Sequence, residues 1–402
     1  MAERPIIVAG GGIGGFAAAL ALSRKGRAVT LLEQAPDFGE VGAGIQIGPN
    51  AFKMFEVLGL TGAILDVAVL PGFLVMRDGL TGAEIVRMPV GSRAFRARYG
   101  YPYGVIYRPD LHNAFIDACT AEPLVTTHTS VTVTGFEDAG EGVRVFTEGG
   151  ATYQGAALIG ADGLWSKVRE TIVGDGAPRV SGHIAYRAVL KTAEVPEHIR
   201  QDNVVLWAGP KTHLVHYPLH RGDIYNLAAV FHSDRYEEGW DSYGDPEELR
   251  KRFSGEHADV LTMLEKIESW RMWVLCDREP VRDWSRGRVT LLGDAAHPML
   301  QYLAQGACMA IEDGVCLAAR VEANGEDFEA AFEEYQGLRY LRTARVQLTA
   351  RMFGDIYHAA GATADLRNAM LGAIDPTKPG EGMAWLYEGL DATGAQQMKA
   401  GA

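Results

Sequence analysis

Pro5-Ile6-Ile7-Val8-Ala9-Gly10-Gly11-Gly12-Ile13-Gly14-Gly15 is the stretch that decides how this chain folds. A short apolar strand, Pro5 to Ala9, runs into a GxGxxG turn, and an Ala-rich helix follows from Phe16 to Lys25 and stops at Gly26. Each motif glycine has a physical reason: Gly10 permits the tight turn, Gly12 lets the backbone approach a pyrophosphate, and Gly15 lets the helix pack closely on the strand. A second strand, Ala28 to Leu32, ends at Glu33, which stands 23 residues after Gly10, where a ribose-binding acid belongs. Alone, the glycine turn would be weak evidence. With strand, helix and terminal acid around it, it predicts a Rossmann-like α/β domain that binds a dinucleotide.

Working outward, Gly287-Arg288-Val289-Thr290-Leu291-Leu292-Gly293-Asp294-Ala295-Ala296-His297-Pro298 reads as a strand, an acidic turn and a loop. Gln305-Gly306-Ala307-Cys308-Met309 then opens another helix at a Gly-led turn. Asp294 is thereby placed at the carboxyl end of a buried strand. The helix amino terminus beside it favours negative charge. A third strand-turn-helix signal is Gly160-Ala161-Asp162-Gly163-Leu164-Trp165-Ser166-Lys167-Val168-Arg169, although a Ser166 helix cap accounts for much of it without any function.

The remaining segments suggest an insertion. Short alternating runs from Leu124 to Thr152 resemble an antiparallel ribbon, and residues 183 to 232 switch to period two, as in Thr212 to Leu219. The pattern is helical from Pro246 until the strand before Asp294, and mostly helical after about residue 320, where Trp385 and Tyr387 are expected to pack on the body. The expected division is a discontinuous nucleotide-binding domain (1–70, 100–180 and 270–320), an antiparallel-sheet substrate domain (71–99 and 181–269) and a C-terminal helical region (321–402).

Composition narrows the function classes. A chain of 402 residues can bury a large core, and 47% hydrophobic with 22% charged residues is ordinary for a globular protein. A net charge of −13 without a long basic run argues against nucleic acid as a partner. The four cysteines, Cys119, Cys276, Cys308 and Cys316, include no CxxC pair, which argues against a thiol redox centre and suits a reducing compartment. No apolar segment approaches the ~20 residues of a membrane helix, and the first strand begins too early to leave room for a signal peptide. The expectation is a cytoplasmic protein with no assigned metal ligands; a homodimer is left open.

The three motifs occur together and in order: GxGxxG at Gly10, Gly12 and Gly15, GADGxxSxVR at Gly160 to Arg169, and GDAAHP at Gly293 to Pro298. In this the chain resembles the single-component flavoprotein aromatic hydroxylases over most of its length. The resemblance implies FAD as resident cofactor, with Glu33 on the adenosine ribose, Arg108 along the cofactor, Asp294 on the ribityl chain, and Asp162 serving both FAD and the nicotinamide donor. No second GxGxxG is present, in keeping with a family that has no separate NAD domain. Gly306 and Ala307, at the start of the helix facing the flavin, are expected to stabilise negative charge on the reduced ring. The implied chemistry is reduction of flavin by NADH, addition of oxygen to give a flavin C4a-hydroperoxide, and transfer of one oxygen atom to an electron-rich arene.

His213, Val215 and Tyr217 share a face of a period-two strand, with roughly 13 Å between the first and last. On the residues alone, His213 or His216 reads as a polar residue of a half-solvated sheet. Gln301 stands where many relatives carry a proline, and its amide could hydrogen-bond a phenolic oxygen. Together His213, Tyr217 and Gln301 resemble the active-site set of family members that hydroxylate 3-hydroxybenzoate para to its hydroxyl, with gentisate as product. The stretches Phe38 to Gly44 and Cys276 to Pro280 are shared with them as well. That resemblance implies His213 as acceptor or relay of the phenolic proton, Gln301 as its assistant and Tyr217 as the residue orienting the ring. The sequence singles out no arginine for the carboxylate. The rival expectations are decarboxylating hydroxylation of salicylate or 6-hydroxynicotinate, a flavin oxidase or reductase without oxygen insertion, and nucleotide binding without catalysis.

Overall fold

A computed structural model describes residues 4–39, 42–233, 242–375, 378 and 380–396. Ile6–Ala9 lies inside a six-stranded sheet whose order is Ser285–Arg286, Val289–Leu291, Ala157–Gly160, Ile6–Ala9, Val29–Leu32 and Val125–His128. The pairings are parallel except at the Ser285–Arg286 edge. Helices cover both faces of such a sheet, which is why its strands read as unbroken apolar runs. Ile6, Ile7, Val8 and Ala9 are all at most 2% exposed.

The helix Ile13–Ser23 is apolar nearly all round because it too is covered, by the helix Gly306–Asn324. Small residues set that contact. A Cβ at Gly314 would stand 2.8 Å from the Ala18 nitrogen, and one at Gly14 would stand 3.1 Å from Ala310 Cβ. The start of the GxGxxG helix and the second helix are thereby locked together.

The antiparallel ribbon expected from Leu124 begins later, at Val133. Val125–His128 pairs in parallel with Val29–Leu32 as an edge of the main sheet, while Val133–Asp138, Val143–Thr147 and Thr152–Gly155 form the ribbon. A half-exposed edge strand alternates in polarity as a ribbon strand does, so the pattern alone does not separate the two.

The second large sheet has eight strands, in the order Ser242–Tyr243, Arg271–Asp277, Arg179–Lys191, Ile224–His232, Thr212–Leu219, Val204–Gly209, Leu74–Asp78 and Glu84–Met88. Period two sorts its faces. Tyr186, Leu214, Leu227, Ala229 and Phe231 point away from the nucleotide-binding body and are buried with Phe253, from the turn after the helix Pro246–Arg252, and Met263 of the helix Ala258–Glu265. The opposite parity, which includes Arg187, His213, Val215, Tyr217 and Asn226, faces the two-stranded element Gly44–Ile47 with Gly104–Tyr107 and the turn Gln301–Leu303. Asn226 Oδ1 accepts from Gly44 N at 2.8 Å across this junction.

After Gly306–Asn324 the chain forms a long helix, Phe328–Tyr357, that packs back along it. Tyr387 is buried beside Phe95 and Tyr99, with the Tyr99 ring centroid 5.3 Å away. Among the described residues, no helix is long and apolar enough to cross a membrane. Glu40 and Val41 of the shared Phe38 to Gly44 stretch lie outside the described residues.

Candidate active site

The glycine turn forms a cradle. Gly10 has φ +111, and a Cβ there would come within 2.3 Å of the Ala161 carbonyl oxygen, so only glycine closes this turn. A Cβ on Gly15 would meet the Gly10 oxygen at 2.0 Å, which makes Gly15 the close-packing glycine. Gly12 differs from both: its φ is −76, and nothing lies within 4 Å of its Cβ position. The space in front of it is open. Glu33 stands at the rim, its Oε2 accepting from Gly11 N at 2.6 Å and its Oε1 from Ala35 N at 2.8 Å. Arg108 begins the helix Arg108–Thr120, whose His112 Nε2 lies 2.7 Å from the Gly11 oxygen, so this helix also holds the loop.

In the middle motif the carboxylate of Asp162 closes its own turn. It accepts from Ser166 Oγ at 2.5 Å, Lys167 N at 2.8 Å and Val168 N at 3.3 Å, and burial still raises its pKa against those bonds. The motif's last residue, unassigned in the sequence, has the larger structural role. Arg169 is 1% exposed and donates to the carbonyls of Ala295 and Ala296 at 2.9 and 2.6 Å, with Asp175 as its counter-ion at 2.6 Å. GADGxxSxVR therefore holds GDAAHP in place.

Asp294 sits in the turn after Val289–Leu291 with its carboxylate exposed, and a Cβ on Gly306 would lie 3.9 Å from Asp294 Oδ1. No side chain caps the helix Gly306–Asn324, so its first N–H groups, including those of Gly306 and Ala307, are free of intrahelical acceptors. This amino terminus rests on a buried ionic cluster that the sequence did not reveal. Asp313 accepts from Gly293 N at 3.0 Å, His297 Nε2 at 2.6 Å and Arg339 Nε at 2.6 Å. Burial raises its pKa, but His297 and Arg339 outweigh that and hold it at about 2. Glu312 is held low by Arg342 and Arg339 against its own burial, and also accepts from Asn50 Nδ2 at 2.7 Å. Adjacent acids in an otherwise apolar helix were the available signal.

His213 and Tyr217 lie on the sheet face turned toward the nucleotide-binding body, and Gln301 meets that face through Arg187. Tyr217 is buried against Gly44, and burial pushes its phenol well up, only partly offset by Arg187 and Gln46. The His213 ring lies 5.6 Å from the rings of both Tyr302 and Tyr357. Burial depresses its pKa to about 3, so it is neutral. Gln301 Oε1 accepts from Arg187 Nη2. A guanidinium only donates, so the amide is oriented with its NH2 group turned elsewhere.

Arg187 is the residue missed here. It shares parity with His183 and Ala185, lies over the Trp273 ring at 5.5 Å, and its Nε is buried with no hydrogen-bond partner. None of the described carboxylates forms an ion pair with it, and burial lowers its pKa.

The residues fit FAD: an open cradle at Gly12, an acid at its rim, and a strand-end carboxylate beside an uncapped helix amino terminus are what an adenine dinucleotide with a ribityl chain and an anionic ring requires. Such a site defines a flavin-binding protein. Residues 3–346 match the family described as FAD binding domain. The chain is 46% identical over 386 residues to the 3-hydroxybenzoate 6-hydroxylase of Polaromonas naphthalenivorans (strain CJ2), covering 96% of each chain. It is 35% identical over 350 residues to the 6-hydroxynicotinate 3-monooxygenase of Bordetella bronchiseptica, covering 85% of this chain and 89% of that one. Its fold matches Klebsiella pneumoniae HpxO complexed with FAD and uric acid with a TM-score of 0.83 at 26% identity, over 94% of this chain and 95% of that one. The chain belongs to the flavoprotein aromatic hydroxylases, the FAD-dependent monooxygenases of that family.

Proposed function

We propose that the protein hydroxylates 3-hydroxybenzoate para to its hydroxyl, forming 2,5-dihydroxybenzoate, with NADH as electron donor. The reading is carried by Arg187, a half-buried side chain whose Nε is buried without a partner and with which none of the described carboxylates forms an ion pair, on the same face as His213 and Tyr217. A cation held partly away from water without a counter-ion is costly, and an anionic substrate lowers that cost on binding. Arg187 is two strands across from Val215, roughly 10 Å by strand spacing, and one pleat along from the row of His213. An arene that carries a carboxylate at one point of its rim and a hydroxyl at another can span these two groups.

When bound, FAD takes two electrons from NADH and supplies one oxygen atom of O2 to the arene, the other leaving as water. The chain's own residues handle the substrate. His213 Nε2 accepts the phenolic proton, which makes the ring electron-rich at its para carbon. The Gln301 NH2 group donates to the phenolate oxygen, and Tyr217 orients the ring. The relative that acts on 6-hydroxynicotinate supports a second reading, in which the attacked carbon carries a carboxylate that leaves as carbon dioxide.

Product identification from purified protein with NADH, under 18O2, tests this. The expected product is 2,5-dihydroxybenzoate carrying one heavy oxygen. Carbon dioxide from salicylate or 6-hydroxynicotinate with no product from 3-hydroxybenzoate selects the second reading, and NADH oxidation without labelled product rejects both.

A further inference from the structure

The substrate face carries more imidazole than a single proton acceptor requires. His213 Nδ1 lies 2.7 Å from His358 Nε2, and His358 Nδ1 lies 2.9 Å from His232 Nε2. His358 follows the long helix Phe328–Tyr357, whereas His213 and His232 come from adjacent sheet strands, so three separate segments build one file. His213 and His358 are 3% and 5% exposed, and His232 is only half-buried. The file therefore runs from the interior outward.

We propose that His213, His358 and His232 form a proton conduit that takes the phenolic proton of the substrate to solvent and returns a proton when product is released. This rests on the reading that a phenol binds at His213. Each neutral imidazole has one donor nitrogen and one acceptor nitrogen, and the file uses the two in strict alternation. With His213 Nε2 open to accept, Nδ1–H of His213 donates to His358 Nε2 and Nδ1–H of His358 donates to His232 Nε2. A proton entering at His213 Nε2 is matched by one leaving His232 Nδ1, so no ring holds two protons. Each ring is left in its other tautomer. Reprotonation of the product phenolate runs the file backward and restores the starting state.

The rings are suited to this because they are neutral near pH 7. Burial, then the neighbouring histidines, push His213 and His358 far below the usual imidazole range, and His232 is lowered too. The other groups facing the file are Tyr302 and Tyr357 beside His213, and His183, whose ring lies 4.2 Å from that of His232 and 4.9 Å from that of His358, with Lys211, Arg252 and Asp355 around His232 and Arg179 by His183. His183, His232 and His358 also have nitrogen atoms close enough to share a metal ion. A metal there would have to displace the His358–His232 bond, while His183 Nδ1 is already 2.5 Å from the Tyr302 hydroxyl.

Two variants test the conduit, His358→Phe, which keeps a ring and removes both nitrogens, and His232→Gln at the half-buried end. With 3-hydroxybenzoate both are expected to retain FAD and substrate binding while hydroxylation falls by about tenfold or more. A ring-fluorinated 3-hydroxybenzoate that is already a phenolate at the assay pH is expected to react at close to the parent rate in both. Equal slowing of the two substrates, or no slowing in His232→Gln, overturns the conduit. Stoichiometric zinc held by the parent and lost from both variants assigns the cluster to a metal and overturns it as well. If the parent does not turn over 3-hydroxybenzoate, the substrate reading has failed, and the conduit is tested with whichever phenol the parent does hydroxylate.

Discussion

His297 Nε2 and Asp313 Oδ2 lie 2.6 Å apart with neither side chain more than 1% exposed, and through this pair the loop that follows the strand-end acid is tied to the helix that starts beside it. Asp313 is also the partner of Arg339, so one carboxylate ties this turn to the long helix Phe328–Tyr357 as well. Asp313→Asn leaves a buried guanidinium short of a counter-ion and is expected to cost about 3–5 kcal/mol, read from denaturant unfolding. The sign of its pH dependence follows from a folded pKa of about 2, below the ordinary value of 3.8. The stabilisation is complete above about pH 4 and is lost as pH falls toward 2. A parent protein whose acid unfolding is unchanged by the substitution would contradict this.

Gly12→Ala and Gly10→Ala separate cofactor binding from folding. Gly12 has an ordinary φ and open space at its Cβ position, so the alanine is expected to change apo stability by no more than about 0.5 kcal/mol while lowering FAD affinity at least about tenfold. Gly10→Ala meets the Ala161 carbonyl and a positive φ, and is expected to lower apo stability itself. Normal FAD affinity in Gly12→Ala would move the pyrophosphate away from this loop.

Asp294→Ala removes an exposed carboxylate and should leave the fold intact. The purified protein is expected to be colourless, or to lose its yellow cofactor on desalting. Full retention of flavin absorbance would show that the ribityl chain is held elsewhere.

The nucleotide end was readable because its signals are local: a glycine turn, an acid at the end of the next strand and a helix start each lie within one βαβ unit or one strand-helix step. Period two likewise exposed the inward face of Thr212–Leu219. What stayed hidden depends on distant pairing. Arg187 alternates like any strand residue, and its inward direction follows only from its register with the strand Ile224–His232. Glu312 and Asp313 meet Arg339 and Arg342 across a helix hairpin, and His358 reaches His213 from 145 residues away. Arg169 carries no local signal of its role, because the carbonyls it serves belong to the third motif.

Arg187→Met keeps length and apolar volume while removing the charge. It is expected to raise KM for 3-hydroxybenzoate by about 30-fold or more, with FAD content unchanged, from the loss of a charge-assisted bond of roughly 2–3 kcal/mol. The same substitution should barely affect 3-hydroxybenzamide, which has no carboxylate to anchor. If both substrates lose equally, the guanidinium holds the architecture of the site rather than the anion.

Three buried histidines are expected to make the protein acid-sensitive in a window well above that of Asp313. His213, His216 and His358 are at most 5% exposed, and burial lowers the pKa of each, to about 3 for His213 and about 4 for His216. In the unfolded chain they titrate near 6.5. Between that pH and about 4 the unfolded state binds protons that the folded state does not, so stability falls as pH falls. Each such histidine contributes a slope of roughly 1.4 kcal/mol per pH unit. Denaturant midpoints measured from pH 7 to 4.5 are expected to drop steeply, and His216→Asn, whose neighbour is the Trp207 indole at 3.1 Å, is expected to make that drop shallower. A flat stability profile across this range would mean that the imidazoles are solvated, and would remove the neutral file from His213 to His232 along with the acid sensitivity.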